Sequence, residues 1–261
     1  MTERVRVEVA DHVAVVALTR PEKHNAVDRA MFDGIAAAAC EVGETPGVRA
    51  VVLHGEGQSF CAGIDVTSFM GGTDSFDDVL RRDGHRANLA QRACTEWIDL
   101  PVPVIAAVHG TCFGAGLQIV LGADVRIAAP DARLSVMESK WGLVPDMAIT
   151  STLPRLLPID LAKELTYTAR IVSGAEAAEL GLVTRVAADP LAAARELAAE
   201  IAGRSPDAVR AAKRLYNEAW HAPVEDGLLL EAQLQRGLIG SPNQLAAVRA
   251  GMSKQPAHFI D

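Results

Sequence analysis

The sequence contains few aromatic residues and carries a deficit of positive charge. Only 4% of its 261 residues are aromatic, and 25 lysines and arginines stand against 33 aspartates and glutamates, which gives a formal net charge of −8. Proteins that bind nucleic acids normally present a basic surface or aromatic side chains that stack on bases, so no nucleic-acid partner is expected. The apolar content of 49% excludes a disordered chain, and the length suits one large domain with a substantial core.

Cysteines are also scarce. The four, Cys40, Cys61, Cys94 and Cys112, are spread over the whole chain, and none belongs to a Cys-x-x-Cys pair. This pattern excludes a small disulfide scaffold and is typical of reduced thiols in a cytoplasmic protein. A metal site would require His109 to converge with Cys112 and Cys61, but isolated residues of these types near strand ends usually serve packing. No metal is predicted.

Long hydrophobic runs are missing as well. The longest, such as 102–108, fall far short of the roughly 18–20 residues that a transmembrane helix needs. The first twenty residues are charged and alternating, unlike a secretory signal peptide. We therefore expect a cytoplasmic protein without a membrane partner.

The sequence does contain a recurring order of strand, loop and helix. The first predicted round has two strands within 5–18, a helix over 29–42, a buried strand over 48–54 and a polar helical region up to residue 100. The second has a strand over 102–108, a loop over 109–114, a helix from 115, a strand over 124–128 and a helix over 145–157. This order is typical of an α/β protein with largely parallel strands. Strand signals vanish from residue 189, which predicts an α/β core over 1–188 and a helical C-terminal region over 189–261.

Two glycine-containing loops follow predicted buried strands and precede helices. They have the sequences Ser-Phe-Cys-Ala-Gly-Ile-Asp (59–65) and Gly-Ala-Gly (114–116). Backbone N–H groups near Gly63 and Ile64, and those that open the second helix, can lack an acceptor there. If two of them converge, they can polarise a carbonyl and stabilise the anion formed from it; alternatively, both loops are tight turns that pack helices on a sheet. Other glycine motifs are excluded, because Ile119 interrupts a dinucleotide fingerprint and no phosphate-binding Gly-x4-Gly-Lys is present.

Five segments carry a resemblance to a known family, in order along almost the whole chain. They are HNAVD (24–28), SFCAGID (59–65), PVPVIAAVHGTCFGAGLQIVLGADVRIA (101–128), the segment from Glu138 to Leu143, and SGAEAAELGLVTRV (173–186). Together they resemble the crotonase superfamily, the enoyl-CoA hydratase/isomerase family. The resemblance implies a spiral of β-β-α units that forms two sheets, followed by C-terminal helices that make trimer contacts. The expected assembly is a homotrimer or a dimer of trimers.

The resemblance also implies the substrate and the residues that hold it. The expected substrate is a coenzyme A thioester whose carbonyl oxygen lies between the N–H groups of Ile64 and Ala115. Relatives most often have glycine at the second position, and the extra methyl of Ala115 should cost little if its φ stays negative. The residues expected to bind the rest of the substrate are Lys23, His24, Ala26, Ala62, Asp65 and Val66. Asp65 can instead cap the helix that follows it, and Lys213, Arg214 and Lys254 are weaker candidates for contacts to the coenzyme A phosphates.

Proton-transfer groups distinguish the reactions that the family performs. Where the resemblance places the two glutamates of a hydratase, this chain has Gln118 and Glu138, and an amide exchanges no proton at neutral pH. Asp146 lies at the spacing from Glu138 that the dienoyl-CoA isomerase branch shows, although that branch also has Asp at position 118. Asp146 can alternatively cap a helix.

These residues predict an acyl-CoA enzyme of fatty acid metabolism that stabilises a thioester enolate. The preferred reaction is isomerisation of an enoyl- or dienoyl-CoA by Glu138 and Asp146, with no cofactor beyond the coenzyme A of the substrate. One alternative is hydration by Glu138, with Gln118 positioning the water. Another is a non-catalytic protein that binds acyl-CoA.

Overall fold

The computed structural model describes residues 4–261. The strands in that range are Val5–Ala10 (β1), Val13–Leu18 (β2), Ala50–Gly55 (β3), Val104–Val108 (β4), Thr111–Phe113 (β5), Val125–Ala128 (β6), Arg133–Ser135 (β7), Val172–Ser173 (β8) and Arg185–Val186 (β9). The α-helices are Arg29–Glu44 (α1), Val66–Met70 (α2), Phe76–Leu80 (α3), Leu89–Asp99 (α4), Ala115–Leu121 (α5), Ile149–Thr152 (α6), Ile159–Thr168 (α7), Gly174–Glu179 (α8), Pro190–Ala202 (α9), Pro206–Ala219 (α10), Val224–Leu238 (α11) and Pro242–Ser253 (α12). Short 3-10 helices occupy Pro21–Lys23, Glu138–Trp141 and Leu153–Arg155.

The strands form two sheets. The larger has the order β1-β2-β3-β4-β6-β9, and the smaller has the order β5-β7-β8. In the larger sheet only the β1–β2 pair is antiparallel, and the pairs from β2 to β9 are all parallel. The connections between parallel strands carry the helices, as expected for an α/β protein.

The larger sheet is buried on both faces because its strands alternate between two apolar clusters. Val51 and Leu53 of β3 face the main core together with α1, α4 and α5. Ala50 and Val52 of the same strand face a second cluster that includes Ala194 of α9. Successive side chains of a strand point to opposite faces, so a strand with four consecutive apolar residues, as β3 has from Ala50 to Leu53, requires cover on both sides.

Within the described residues, only helices follow β9. However, α9 covers one face of the larger sheet and is therefore part of the core layer. Helix α11 has no buried residue in the single chain. No helix of the described residues is both long and apolar enough to cross a membrane.

Two predictions about local structure were wrong. The predicted loop over 109–114 contains strand β5, which pairs in parallel with β7; a strand of three residues is too short to show a period in the sequence. The predicted helix over 145–157 is limited to α6 and the 3-10 turn behind it, because the preceding residues have a different conformation. Gly142 and Ala148 both have positive φ, +71° and +62°, and such backbone cannot continue a right-handed helix.

Candidate active site

The candidate site lies at the carboxyl ends of three neighbouring parallel strands. The segment that contains His24 follows β2, the loop over 59–65 follows β3, and Gly114 follows β4 through the short strand β5. Parallel strands end at the same edge of their sheet, and ligands of such sheets bind at that edge. The topology therefore brings together the segments in which the sequence predicted substrate contacts.

The first loop leaves the N–H group of Ile64 without an acceptor. Val27 forms an isolated parallel bridge with Ile64, in which Val27 N–H donates to Gly63 O at 2.8 Å and Val27 O accepts from Asp65 N–H at 2.9 Å. In this pattern the N–H group of the central residue points away from its neighbour. Among the described residues, no acceptor takes the N–H of Ile64. Gly63 has a φ of +98°, which explains the glycine at this position.

The second loop supplies another free N–H group close by. Ala115 is the first residue of α5, where the helix itself offers no acceptor, and none of the residues 4–261 accepts its N–H. A Cβ built on Gly63 would lie 4.0 Å from this nitrogen, so the two loops are in contact. The φ of Ala115 is not positive, which removes the strain that its methyl group would otherwise cause.

The third component of the candidate site is Glu138, the first residue of the 3-10 helix Glu138–Trp141. Its side chain is buried, and Oε2 has no hydrogen-bond partner in the described part of the chain. A Cβ on Gly114 would lie 3.2 Å from Glu138 Oε1, so the carboxyl group rests against the residue that precedes Ala115. Burial is the main cause that raises the pKa of Glu138; the nearby charge of Asp146 raises it as well, and a hydrogen bond from Gln118 opposes the shift.

Gln118 connects Glu138 to the segment that contains Asp146. Its Nε2 donates to Glu138 Oε1 at 2.6 Å, and its Oε1 accepts from the N–H of Met147 at 2.8 Å. A backbone N–H can donate only to the oxygen of an amide, so the partner Met147 fixes the orientation of the side chain. Gln118 was among the predicted site residues, but nothing in the local sequence indicated either bond.

Asp146 lies at the rim of the site. Its side chain is exposed, yet partial burial by the surrounding protein raises its pKa, against a hydrogen bond from its own N–H. The N-cap residue of α6 is Ala148, so Asp146 does not cap that helix. Of the two interpretations left open by the sequence, the capping one is wrong.

Asp65 caps α2, as one of the two interpretations expected. Its carboxylate accepts hydrogen bonds from the N–H groups of Thr67 and Ser68 and forms an ion pair with Arg20 at 2.8 Å. Burial acts to raise the pKa of Asp65, but the bonds from Thr67, Arg20 and Ser68 outweigh it, so the pKa is lowered. Arg20 was not among the predicted site residues; its only signal is a charged residue two positions after the apolar strand β2.

The other predicted binding residues border the first loop. The carbonyl of His24 accepts from Ala62 N–H at 2.9 Å, and its ring contacts Ser59 Oγ at 3.1 Å. Ala26 and Ala62 are half-buried, and the side chains of Lys23, His24 and Val66 are exposed. Their predicted contacts to the substrate remain predictions.

Lys213 is not available for a phosphate. Its ammonium group is buried, lies 2.8 Å from Asp124 and donates to the carbonyls of Trp97 and Val102. The expectation that Lys213 contacts coenzyme A is therefore wrong, since its three protons are taken by the chain itself. Arg214 and Lys254 are exposed.

A buried carboxyl group packed against the residue before Ala115, together with two loops that each carry a free N–H group, suits an enzyme that transfers protons next to a polarised carbonyl. The family model for enoyl-CoA hydratase/isomerase matches residues 8–259. The mitochondrial Delta(3,5)-Delta(2,4)-dienoyl-CoA isomerase of Rattus norvegicus is 33% identical over 258 residues, which cover 95% of this chain and 79% of that protein. The peroxisomal Delta(3,5)-Delta(2,4)-dienoyl-CoA isomerase of Arabidopsis thaliana is 31% identical over 269 residues, and the match covers 98% of this chain and 96% of that protein.

Solved structures agree with these relatives. The crystal structure of enoyl-CoA hydratase from Bacillus anthracis matches with a TM-score of 0.88 and 32% identity, and the match covers 98% of each chain. The chain belongs to the enoyl-CoA hydratase/isomerase family. It is an enzyme that acts on acyl-CoA thioesters, with the mixed α/β crotonase fold that the resemblance implied.

Proposed function

We propose that the protein moves a double bond along the acyl chain of an unsaturated acyl-CoA, with Glu138 and Asp146 as the proton-transfer groups. The observation that carries this proposal is the buried carboxyl group of Glu138, which lies against Gly114 through Oε1 and has no hydrogen-bond partner at Oε2 among the described residues. Gln118 occupies the position of a second buried carboxyl group, so the pair of acids used for addition of water is incomplete.

The reaction follows from the placement of these groups. The N–H groups of Ile64 and Ala115 hold the thioester oxygen and stabilise negative charge on it. Glu138 Oε2 removes a proton from the acyl chain, and the electron pair of the broken C–H bond spreads over the conjugated system to that oxygen. Asp146 then gives a proton to a carbon further along, and the double bond forms at its new place. The acyl chain gains and loses one proton, and Glu138 and Asp146 regain their starting states by exchange with water.

Hydration is the alternative that the hydratase relatives support. It needs a water molecule held for attack, and both polar atoms of Gln118 are already engaged with Glu138 and Met147. One hydrogen of Nε2 is left to hold a water, which makes this alternative the weaker one. The third candidate, binding without catalysis, predicts that acyl-CoA binds but gives no product.

Mass spectrometry of the products separates the three. With a 3,5-dienoyl-CoA, isomerisation gives a product of unchanged mass and a new absorbance of the conjugated thioester. With a 2-enoyl-CoA, a product heavier by one water would contradict the preference for isomerisation. Binding of both compounds without any product would support the non-catalytic alternative.

Substitution of Glu138 tests its role directly. We expect Glu138→Gln to lower kcat by about 10²–10⁴-fold, the usual effect of losing a general acid or base, while Asp146→Asn has the smaller effect if its proton can come from water. Glu179→Gln is a matched control, because Glu179 is exposed and lies outside the site. An unchanged turnover of every acyl-CoA by Glu138→Gln would refute the proposal.

The chemistry requires no cofactor beyond the coenzyme A of the substrate, and the assembly is a homotrimer or a dimer of trimers in the cytoplasm. Exposed apolar side chains on the C-terminal helices support the assembly, since Trp220, Val224, Leu228, Leu229 and Met252 are each more than half exposed in the single chain. Native mass spectrometry measures the number of subunits. A monomer at micromolar concentration would contradict this part of the proposal.

A further inference from the structure

A single buried amide joins three segments of the candidate site. Gln118 belongs to α5, Glu138 begins a 3-10 helix, and Met147 directly follows Asp146. The amide donates to Glu138 Oε1 and accepts from the N–H of Met147. These partners lie 20 and 29 residues away in the chain, so the bonds fix the relative positions of segments that the local sequence leaves independent.

The bond from Gln118 makes the two oxygens of Glu138 unequal. Oε1 is held at 2.6 Å from Gln118 Nε2 and faces Gly114, where even a Cβ would come within 3.2 Å of it. Oε2 has no partner among the described residues. The carboxyl group therefore cannot exchange its oxygens without breaking a short, charge-assisted hydrogen bond, and Oε2 is the oxygen that keeps its capacity to accept a proton or a hydrogen bond.

The second bond acts on the segment of Asp146. Met147 is buried, and Ala148 behind it has a φ of +62°, a conformation that an alanine adopts only when its surroundings impose it. The hydrogen bond from Met147 N–H to Gln118 anchors the backbone directly after Asp146. The place of Asp146 thus depends on the same side chain as the orientation of Glu138.

We propose that Gln118 is a positioning residue: it reserves Glu138 Oε2 for proton transfer and sets the distance between Glu138 and Asp146. This inference rests on the proposed function, because it concerns the two groups that move the protons. Gln118 itself exchanges no proton. Its effect reaches the substrate through Glu138 and through the backbone of Met147.

The inference makes a prediction about charge as well as geometry. The amide N–H stabilises the ionised form of Glu138 and so lowers its pKa, whereas burial and the charge of Asp146 raise it. Removing the amide should leave only the backbone N–H groups of Glu138 and Met137 to oppose the two raising influences. A leucine at position 118 is similar in volume but offers neither a donor nor an acceptor.

The experiment compares Gln118→Leu with the wild type and with Gln244→Leu. Gln244 is a suitable control because its Oε1 also accepts a backbone N–H, that of Gly240, near the start of α12 and outside the site. The first readout is the pKa of the Glu138 carboxyl group without substrate, followed by infrared spectroscopy of protein with ¹³C-labelled glutamate and assigned with Glu138→Gln. The second is the pH dependence of kcat and KM for the acyl-CoA that the wild type converts best.

We expect the pKa of Glu138 to rise in Gln118→Leu and to stay unchanged in Gln244→Leu. In Gln118→Leu, kcat should also fall by about 10²-fold, the effect of misplacing catalytic groups by about 1 Å, while KM changes little. If Gln118 had only a structural role, Gln118→Leu would have a lower melting temperature but an unchanged pKa of Glu138.

Gln118→Glu keeps the inference testable if the leucine variant does not fold. This variant retains the shape and an acceptor for Met147 N–H, but it places a second carboxyl group within hydrogen-bond distance of Glu138 Oε1. Two such groups share one proton, and one pKa of the pair rises strongly. Gln118→Glu should therefore be active only at a pH at which the pair of carboxyl groups keeps that proton.

The outcomes separate this inference from the proposed function. An unchanged pKa of Glu138 in both Gln118 variants overturns the inference, whatever the reaction is. A shifted pKa in a protein that isomerises no acyl-CoA overturns the proposed function and leaves the coupling of Gln118 to Glu138 standing.

Discussion

At the scale of single residues, the role in proton transfer that we propose for Glu138 comes at the expense of stability. A buried carboxyl group with a free oxygen is poorly solvated, which raises its pKa. A raised pKa means that the folded protein binds the proton more tightly than the unfolded chain does. The contribution of Glu138 to stability is therefore greatest at a pH below its unfolded pKa and is lost as the pH rises through the folded one.

Glu138→Gln should consequently stabilise the protein at neutral pH while it lowers activity. The amide of a glutamine at position 138 can still accept the hydrogen bond of Gln118, and it carries no charge to desolvate. We expect a higher free energy of unfolding at neutral pH, by about 1.4 kcal/mol for each unit by which the pKa is raised, and no difference at about pH 4. Calorimetry from pH 4 to 8 measures this, with the surface variant Glu179→Gln as control. A destabilised variant at every pH would contradict the expected desolvation of Glu138.

At the scale of secondary-structure elements, the first loop is held by the cap of a very short helix. Helix α2 has five residues, too few to be stable alone, and its N-cap Asp65 lies directly behind Ile64. The ion pair of Asp65 with Arg20 is almost wholly buried. The loop that presents the Ile64 N–H therefore depends on one carboxylate.

Asp65→Asn tests this dependence, because asparagine is a good N-cap residue but leaves Arg20 without that partner. We expect the free energy of unfolding to fall by about 3 kcal/mol, the lower range for breaking a buried ion pair, since Arg20 keeps contacts to Asp28 and to Ala26 O. KM for acyl-CoA should rise because the loop is less well fixed. Urea unfolding and steady-state kinetics provide the measurements, and Asp33→Asn, in an exposed i,i+4 pair, is the control. Equal stability of the two variants would show that Asp65 does not hold the loop.

The elements also show where sequence reasoning succeeds and where it fails. Helix α1 was predicted over 29–42 because its apolar spacing is local, and Asp28 does cap it. The predicted helix over 145–157 failed because Ala148 has a positive φ, in a segment whose Met147 N–H is held by Gln118, 29 residues away. Gln118 and Glu138 were selected as site residues through the family resemblance. The hydrogen bond between them could not be predicted, because side-chain contacts across the fold leave no local pattern.

At the scale of the whole molecule, one buried lysine ties the C-terminal helices to the core. Lys213 of α10 bonds Asp124 and two carbonyls at the end of α4 and the start of β4. We expect Lys213→Ala to lower the free energy of unfolding by about 3 kcal/mol, because it removes the ion-pair partner of Asp124, which keeps only the N–H of Val104, and leaves both carbonyls without a donor. Hydrogen exchange should become faster in α10 and α11 but not in β3. Lys163→Ala, at an exposed position, serves as control. If Lys213→Ala left the exchange rates of α10 and α11 as unchanged as Lys163→Ala does, Lys213 would not tie these helices to the core.

The net charge of −8 opposes binding of an acyl-CoA, because the average field of the protein repels the phosphates of the coenzyme A. Binding then depends on local positive charge, and Lys23 is exposed beside the segment that hydrogen-bonds the first loop. We expect Lys23→Gln to raise KM for acyl-CoA several-fold without changing kcat, and to weaken the dependence of KM on salt. The corresponding pantetheine thioester lacks the nucleotide, so its KM should be the same in both proteins. If Lys23→Gln raised KM equally for both thioesters, Lys23 would act on the loop and not on the phosphates.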